Sequence, residues 1–363
     1  MAKRRREGIH VVDIDEQYEQ ELDKAVKVLS AKQNESTLNF VFVTDLHHIQ
    51  GGNQLRAARI IRELAARLPL DFILNGGDSC INAAKDVALA AQREIFEALR
   101  APGVPLLTVK GNHDDNSIYG HERPETRAGH VIYPAETKAL IQEGIPQAAR
   151  WDESCPDSLY YYLDVEAKQT RVIVLDTMNI PYEAGSDGRL PYLGQWEYAF
   201  SSRQLNWLAH EALNLTGKPD WRVLIASHVE IIEDGVFGTD HPVANGEALW
   251  EIVKAFQSGS PYSLTGGEGD FAYAVEGDFS PQGKGKVIGC LFGHVHFDQT
   301  VYQDGIPMVS SLNACTRKEF PDCPEREPDT LSETALDIVT IDFERSRIDT
   351  YRFGAGEHRT VSF

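Results

Sequence analysis

The chain has 363 residues, with 35 Lys and Arg against 55 Asp and Glu, which gives a formal net charge of −20. This length is enough for one large domain with insertions or for two modest domains, and 42% hydrophobic residues are ordinary for a globular protein. No apolar run approaches the roughly 18 residues of a membrane span, so we expect no membrane partner. The acidic balance also disfavours nucleic acid as a partner.

The N-terminal residues 1–8 are basic, but no apolar stretch follows them. The segment therefore does not resemble a secretory signal, and we interpret it as a solvated tail, with a nucleic-acid or membrane contact as the alternative. The number of cysteines is odd and the chain is long, which favours reduced thiols in a cytoplasmic protein. The five cysteines are Cys80, Cys155, Cys290, Cys315 and Cys323.

Alternating strands and helices are predicted for the first third of the chain. Apolar periodicity near Leu22, Val26 and Leu29 predicts an outer helix within a first unit, residues 1–37. The main domain, 38–363, begins with apolar runs that fit buried strands at 40–43, 72–74 and 104–109. Helical spacing between these strands predicts helices at 55–68 and 84–100.

Two insertions interrupt the rest of this domain, near 114–158 and 231–283. The first has little periodicity, and the second combines a helix near 246–257 with a Gly/Ser-rich loop. Between and after them the pattern predicts a hairpin at 159–165 and 170–176, a helix at 205–213, and further strands. These strands are expected at 221–226, 287–292, 299–302, 306–311, 335–341 and 347–352.

Five of the predicted strands end in polar residues of the same few types. These residues are Asp45 and His47, Asp78, Asn112 and His113, His228, and His294 and His296. Imidazole nitrogens, carboxylates and amide oxygens are ligands of divalent metals. Asp-x-His and His-x-His direct two side chains to one side of an extended segment. Because open α/β sheets place their sites at the carboxyl ends of strands, the pattern predicts a metal centre.

These residues resemble the five motifs of the calcineurin-like metallophosphoesterase superfamily. The motifs are Asp45-x-His47, Gly77-Asp78, Gly111-Asn112-His113-Asp114, His228 and Gly293-His294-x-His296. Their order matches, and so do the spacings of 33 residues from Asp45 to Asp78 and 34 from Asp78 to Asn112. Residues 227–230 lack the proline common two residues after the family's histidine, which changes a loop shape but not the ligand assignment.

The resemblance implies an α/β fold, a four-layer α-β-β-α sandwich of two mixed sheets flanked by helices. It also implies two metal ions bridged by Asp78. The ligands of one would be Asp45, His47 and His296, and those of the other Asn112, His228 and His294. His113 would contact the phosphate and protonate the leaving group, with Asp114 as its orienting partner.

Two metal ions about 3.5–4 Å apart can share a hydroxide and bring its pKa close to neutrality. That hydroxide would attack phosphorus in line, while His113 and the metals meet the charge that develops on the phosphoryl group. The charges of two divalent ions exceed those of Asp45, Asp78 and one hydroxide, so the site would be positive inside an acidic protein. We therefore expect a small phosphorylated substrate, a monoester or a diester.

Several alternatives remain open at this level. The ligand types suit Mn, Fe, Zn, Ni and Co, and the oligomeric state is undetermined. A nuclease of the same superfamily and a non-catalytic binding module on this fold are the rival functions. His48 either points into the cleft or is structural. The segment with Tyr119, His121 and Arg123, and the stretch 262–273, are either pocket walls or exposed loops.

Overall fold

The computed structural model describes residues 14–123 and 127–363. Its helices are α1 (Ile14–Ser30), α2 (Gln54–Arg67), α3 (Lys85–Leu99), α4 (Ser117–His121), α5 (Pro134–Ile141), α6 (Ser202–Trp207, continued by a π-helical turn over Leu208–Ala212) and α7 (Gly246–Ser258). Its strands in the first half are β1 (Thr37–Val43), β2 (Phe72–Asn75), β3 (Leu106–Thr108), β4 (Arg150–Trp151), β5 (Tyr161–Val165) and β6 (Thr170–Val174). The later strands are β7 (Tyr198–Ala199), β8 (Arg222–Ala226), β9 (Val243–Ala244), β10 (Pro261–Gly266), β11 (Tyr273–Asp278), β12 (Val287–Phe292), β13 (Gln299–Gln303), β14 (Ile306–Ser310), β15 (Ala335–Asp342), β16 (Arg347–Gly354) and β17 (Arg359–Ser362).

Two large sheets contain most of these strands. The first has the order β17-β16-β15-β1-β2-β3, in which β1, β2 and β3 are parallel and β15 runs antiparallel to β1. The second has the order β13-β14-β12-β8-β6-β5-β4, with a parallel centre of β14, β12, β8 and β6. Both sheets are therefore mixed, and each contains parallel strands whose carboxyl ends can carry a site.

The hydrophobic residues form layers between and outside the sheets. Along β8, Leu224 and Ala226 belong to the cluster between the sheets, whereas Val223 and Ile225 belong to the cluster shared with α6 and α7. This alternation is the period of two that a strand buried on both faces requires. The cluster between the sheets continues around the first sheet, where helices α1, α2 and α3 contribute their apolar faces to it. The predicted sandwich of two mixed sheets with flanking helices is confirmed.

The N-terminal helix packs into the same core as the main domain. Tyr18, Leu22, Ala25 and Leu29 of α1 are buried in the cluster that also contains β1, β15 and β16. The predicted boundary between residues 37 and 38 stays a prediction, and the basic tail lies outside the described residues. Within the described ranges, no helix combines the length and the apolar character needed to cross a bilayer.

The two predicted insertions contain more regular structure than their sequences indicated. The expected loop after α7 is wrong for 261–278, because β10 and β11 pair as an antiparallel hairpin from Pro261↔Asp278 to Gly266↔Tyr273. The first insertion contains α4 and α5, and β17 extends the first sheet after the last predicted strand. The hairpin does alternate, with Tyr262, Leu264, Tyr273 and Val275 packed against the cluster shared with α6 and α7. Each strand supplies only two such residues, and the Gly, Ser and Pro around them favour a loop in the sequence.

A buried ion cluster connects the loop after β12 in the second sheet to strands of the first sheet. Asp337 on β15 accepts hydrogen bonds from Arg352 Nε at 2.9 Å and from Arg359 Nη2 at 2.7 Å. Arg352 Nη2 also bonds Asp298, at 2.7 Å, two residues after His296. Burial opposes ionisation of Asp337, but the two arginines prevail and lower the pKa of its carboxyl to about 2.

We expect Asp337→Asn to lower the free energy of unfolding by about 3–5 kcal/mol, because it leaves the buried Arg352 and the half-buried Arg359 with Asp298 as their remaining counter-charge. Since the folded pKa lies below the ordinary aspartate value of about 3.9, the contribution is present above about pH 4 and is lost as the pH falls toward 2. Urea denaturation at several pH values measures it. Asp342→Asn is the control, because its partner Arg345 is largely exposed and such pairs contribute about 1 kcal/mol or less. Equal losses for the two variants would contradict the expectation.

Candidate metal centre

The predicted ligands converge where the parallel strands of both sheets end. Five of them, Asp45, His47, Asp78, His294 and His296, have positive φ angles between 42° and 64°. Non-glycine residues rarely adopt this left-handed region, and each such residue costs on the order of 1–3 kcal/mol. Residues of this kind concentrate at functional sites, where the surrounding structure holds them in place. The turns after β1, β2 and β12 therefore have strained backbone conformations that direct these side chains toward one another.

Two glycines allow these turns to approach each other closely. Gly77 has a φ of 102°, and a Cβ atom there would lie 2.6 Å from His228 Nδ1. At Gly111, a Cβ atom would lie 2.0 Å from the backbone nitrogen of Asp78. A larger residue at Gly111 would separate the turn that carries Asp78 from the turn that carries Asn112. Glycine is thus required by close packing at both positions.

The first group of donor atoms consists of Asp45, His47 and His296. His296 Nε2 lies 3.1 Å from Asp45 Oδ1 and 3.2 Å from His47 Nε2. Thr44 Oγ1 donates a hydrogen bond to Asp45 Oδ2 at 2.7 Å, which leaves Oδ1 directed at the two imidazoles. These three side chains are one of the groups in the described residues that could hold a metal ion.

The second group consists of Asn112, His228 and His294. Asn112 Oδ1 lies 3.0 Å from His228 Nε2 and 3.3 Å from His294 Nδ1. The amide nitrogen of Asn112 donates to the backbone carbonyl of Gln195 at 3.2 Å. That bond sets the orientation of the amide, so its oxygen is the atom presented to the histidines.

Asp78 lies between the two groups. Its Oδ1 is 3.4 Å from His228 Nε2, and its Oδ2 is 3.7 Å from His47 Nε2. The backbone nitrogen of His113 donates to Oδ1 at 2.8 Å. One carboxylate thus reaches a histidine of each group, and Asp78 is almost completely buried. Asp78 also belongs to two further metal-capable groups, one with His47 and His113 and one with Asp45 and His228.

The spacing of these atoms fits bound metal ions. Ligands that bind one ion at about 2.0–2.2 Å lie roughly 3.0–3.5 Å from one another. The contacts within each group fall between 3.0 and 3.3 Å. Nitrogen and carboxylate donors of this kind suit zinc and other first-row divalent ions. The residues therefore fit the metal centre that the sequence predicts.

Three of the histidines are held through their second ring nitrogen. His228 Nδ1 lies 2.8 Å from the carbonyl of Gly76, and His296 Nδ1 lies 3.1 Å from Glu319 Oε2. His294 Nε2 lies 2.9 Å from Asp240 Oδ1. Such partners accept the remaining N–H, which fixes the tautomer and leaves the other nitrogen free for a metal. These three contacts prepare the imidazoles as neutral ligands.

The carboxylates and histidines of the site strongly shift one another's pKa values. Burial disfavours the charged form of Asp45, but His296 and His228 outweigh it and lower the pKa of Asp45 to about 2. The pKa of Asp78 also lies well below its usual value, because His228, His113 and His47 surround it despite its burial.

The pKa values of the histidines shift in different directions. Burial lowers the pKa of His47 to about 4, although Asp78 acts against it. For His228 and His296 the neighbouring carboxylates overcome burial and raise the pKa to about 10 and about 9. At His228 and His296 the carboxylates thus favour the protonated imidazole, and a bound metal ion would compete with that proton for the ring nitrogen. Metal ions would replace those protons as the positive charges in the cluster.

His113 lies beside the two groups, and its ring is the most exposed of the cluster. Its Nε2 is 3.8 Å from Asp78 Oδ2 and 3.3 Å from Gln195 Nε2. Its Nδ1 is 2.5 Å from Asn82 Oδ1, an atom that can only accept a hydrogen bond. Nδ1 therefore carries a proton, and Nε2 is the atom that faces the cleft. Asn82 is held in turn against the His113 carbonyl, at 3.1 Å.

Asp114 does not occupy the predicted position beside the His113 ring. Its two carboxylate oxygens accept hydrogen bonds from the backbone nitrogens of Ser79 and Gly111, each at 2.8 Å. Burial, with Asp78 nearby, raises the pKa of Asp114 to about 7 despite these bonds. Asp114 connects the turn after β2 with the turn after β3, whereas Asn82 makes the contact expected of an orienting partner.

His48 points away from the cleft. Its ring is buried, and its two nitrogens lie 2.8 Å from Glu94 and 3.4 Å from Gln54. These contacts attach the turn after β1 to α2 and α3, which favours the structural interpretation. His121 and Trp196 form an edge-to-face pair with ring centroids 5.7 Å apart. This pair lines a cavity, which favours the pocket-wall interpretation for His121 in α4.

Four contact residues of the site were not identified from the sequence: Asn82, Gln195, Asp240 and Glu319. Each lies outside the five motifs, between 23 and 82 residues from the histidine that it contacts. None follows a predicted strand directly, so the signal that identified the ligands does not extend to them. Asp240 and Glu319 lie in long polar segments. Such segments predict a loop but not a contact with a particular histidine.

A family model described as calcineurin-like phosphoesterase matches residues 38–298. The chain belongs to the calcineurin-like phosphoesterase family. This confirms the membership that the sequence motifs predicted. The matched region contains all seven predicted ligands of the phosphoesterase motifs, from Asp45 to His296. A search of curated proteins found no match.

Solved structures similar to this phosphoesterase chain are distant. It is similar to GAP50, the anchor in the inner membrane complex of Plasmodium, with 11% identity, a TM-score of 0.49 and coverage of 90% of this chain and 89% of that one. It is also similar to a putative 5′-nucleotidase from Staphylococcus aureus, with 15% identity, a TM-score of 0.41 and coverage of 90% and 54%. For NAD nucleotidase of Haemophilus influenzae the values are 10%, 0.40, 90% and 49%. Likenesses at this level carry no argument about activity.

Proposed function

We propose that this protein hydrolyses small phosphate esters, monoesters or diesters, with the help of two metal ions. The observation that carries this proposal is the position of Asp78 between two groups of donor atoms, within 3.7 Å of a histidine in each. Asp45, His47 and His296 would hold one ion, and Asn112, His228 and His294 the other. The ions would supply Lewis-acid stabilisation of the phosphoryl group and a nucleophilic water of lowered pKa.

The chain's own residues would orient the ester and manage one proton. His113 presents Nε2 to the cleft, because Asn82 occupies its Nδ1. A protonated His113 can donate a hydrogen bond to a phosphoryl oxygen and then a proton to the leaving oxygen. Gln195, whose side-chain nitrogen lies 3.3 Å from that Nε2, would contact the same end of the ester. Asp114 would act indirectly, by keeping the turns of Asp78 and Asn112 together.

The charge distribution favours a small substrate. The net charge of −20 repels a long polyanion, whereas a short ester would interact mainly with the metal ions and His113. We also propose a cytoplasmic location, because each of the five cysteines is free and reduced thiols persist there. The exclusion of nucleic acid as a partner stays a prediction. The proposal covers both monoesters and diesters.

The test is to reconstitute the purified chain with Mn²⁺ and to measure metal content and hydrolysis together. The substrates are p-nitrophenyl phosphate, bis(p-nitrophenyl) phosphate and a panel of phosphorylated metabolites. We expect close to two metal ions per chain and turnover that chelation abolishes. A chain that takes up metal without hydrolysing any ester, or that takes up none, would favour the non-catalytic binding module.

A substitution at Asp240 should weaken the binding of one metal ion selectively. We expect Asp240→Asn to reduce the affinity for one of two ions by about 10–100-fold, because His294 loses its charged hydrogen-bond acceptor. Tyr198 and His241 also contact this carboxylate, at 3.3 and 3.2 Å, and hold it in place. Titration of the apoprotein with Mn²⁺, followed by calorimetry, resolves the two affinities.

Asp234→Asn is the matched control for this titration, because Asp234 is an exposed residue of the same segment. Its two affinities should equal those of the unmodified chain. If Asp240→Asn leaves both affinities unchanged, the His294–Asp240 contact does not support a metal ligand. If it weakens both equally, the two donor groups do not bind separate ions.

A further inference from the structure

A cavity of about 330 Å³ lies between the segment that follows His113 in the chain and the loop that contains Gln195. Its walls come from α4 and the following segment and from the loop at 189–197, including Ser117, His121, Arg189 and Trp196. Gln195, which contacts His113, directly precedes Trp196 in this loop. One wall residue of the cavity is therefore adjacent in the chain to Gln195, which contacts the side chain proposed to protonate the leaving group. Its volume is at the lower end of the range for small-molecule sites.

The loop that forms one wall is firmly attached to the site. Asp115 is buried, and its Oδ2 accepts hydrogen bonds from Tyr182 at 2.8 Å and from the backbone nitrogen of Gly194 at 3.2 Å. Lys110, also buried, donates to the same tyrosine hydroxyl. A Cβ atom at position 194 would lie 2.3 Å from Asp115 Oδ2, so the contact requires glycine. This network holds Gln195 and Trp196 in a fixed position relative to His113.

The lining combines an aromatic surface with polar groups. Trp196 is 39% exposed, so part of its ring is accessible to a ligand. Its ring meets the edge of His121, and Leu190, Pro191 and Val131 complete an apolar wall. Ser117 is almost completely buried, yet its hydroxyl has no hydrogen-bond partner among the described residues. That hydroxyl is enclosed, so the polar side chains that the cavity offers to a ligand are Arg189 and Glu197.

We propose that this cavity binds a planar heteroaromatic group on the leaving-group side of the substrate. A ring of this kind offers a face that can stack on Trp196 and polar edges that can bond Arg189 or Glu197. The cavity carries one cationic and one acidic wall residue, Arg189 and Glu197, so its charge balance suits a neutral ring rather than a second phosphate. This inference rests on the proposed function, because it assigns the substrate class of the same site.

The first measurement compares two substrates that differ only by the ring. Adenosine 5′-monophosphate and ribose 5-phosphate carry the same phosphate on the same sugar. We expect the unmodified chain to prefer the nucleotide in kcat/KM by at least about tenfold, and Trp196→Ala to lower that preference by about tenfold, as one lost stacking contact predicts. Trp196→Phe should recover most of the preference. Tyr302→Ala, which removes another exposed aromatic on β13, should leave the preference unchanged.

The second measurement needs no turnover. Calorimetry with free adenosine and free ribose tests the cavity in the metal-loaded chain, and we expect binding of adenosine that Trp196→Ala weakens by about tenfold. If esters are hydrolysed without any preference for the nucleotide and adenosine does not bind, the cavity proposal is wrong while the proposed function stands. If adenosine binds in a Trp196-dependent way but no ester is hydrolysed, the cavity proposal stands and the proposed function is wrong. Loss of preference in Tyr302→Ala as well would overturn the cavity proposal.

Discussion

Asp78→Ala should abolish hydrolysis and weaken both metal ions, because this carboxylate is the ligand assigned to both. Its oxygens lie 3.4 and 3.7 Å from histidines of the two donor groups. Removal of a direct ligand should cost more than the roughly 10–100-fold in affinity that loss of an outer partner costs. Elemental analysis after reconstitution with Mn²⁺ gives the number of ions, and hydrolysis of bis(p-nitrophenyl) phosphate gives the activity.

The control for this variant is Asp86→Ala, because Asp86 is exposed in the first turn of α3. It should keep two ions and full activity. Thermal unfolding of both variants separates loss of metal from loss of the fold, since Asp78 also accepts a hydrogen bond from the His113 backbone. Two fully bound ions in a folded Asp78→Ala protein would refute the bridging assignment.

His113→Ala should slow turnover by about 10²–10⁴ while both ions remain bound, which is the usual range for loss of general acid catalysis. The imidazole faces the cleft through Nε2 and is not assigned to either ion. The loss should be smaller for esters of p-nitrophenol, because that leaving group departs without a proton. The measurement is kcat for a series of aryl and alkyl phosphate esters, with metal content determined in the same samples.

His210→Ala serves as the control, because His210 is an exposed histidine remote from the cluster in sequence. It should not change kcat for any ester. An equal loss in His113→Ala for good and poor leaving groups would mean that His113 binds the phosphate without donating a proton. A loss of metal ions in that variant would instead place His113 among the ligands.

The residues proposed as metal ligands could be identified in the sequence because each lies close to the end of an apolar strand. Asp45 follows β1 and His294 follows β12 by two residues each, and both strands are buried along their full length. Apolar runs of this kind identify buried strands, and the order of parallel strands brings their carboxyl ends together. The family pattern then assigned individual residues to the two donor groups. Metal chemistry restricts such ligands to a few residue types, which makes the pattern readable in one sequence.

The partners of these ligands could not be predicted in the same way. Asp240 contacts His294 across 54 residues of chain, and Gln195 contacts His113 across 82. The family resemblance implied Asp114, the next residue in the chain, as the orienting partner of His113. In the folded chain the Asp114 carboxylate accepts two backbone N–H groups, and Asn82 takes the contact with the ring. Buried backbone donors require acceptors, and that requirement depends on which turns meet in three dimensions.

The sequence by itself determined the family, the alternation of strands and helices, and the residue types available to a metal centre, because apolar periodicity and motif spacing are local properties of the chain. The tertiary structure decided which side chains orient the histidines, that residues 261–278 form a hairpin, and that Trp196 and Ser117 line one cavity. These features depend on contacts between segments far apart in the chain. Hydrogen-bond satisfaction and packing select among such contacts only after both sheets have come together.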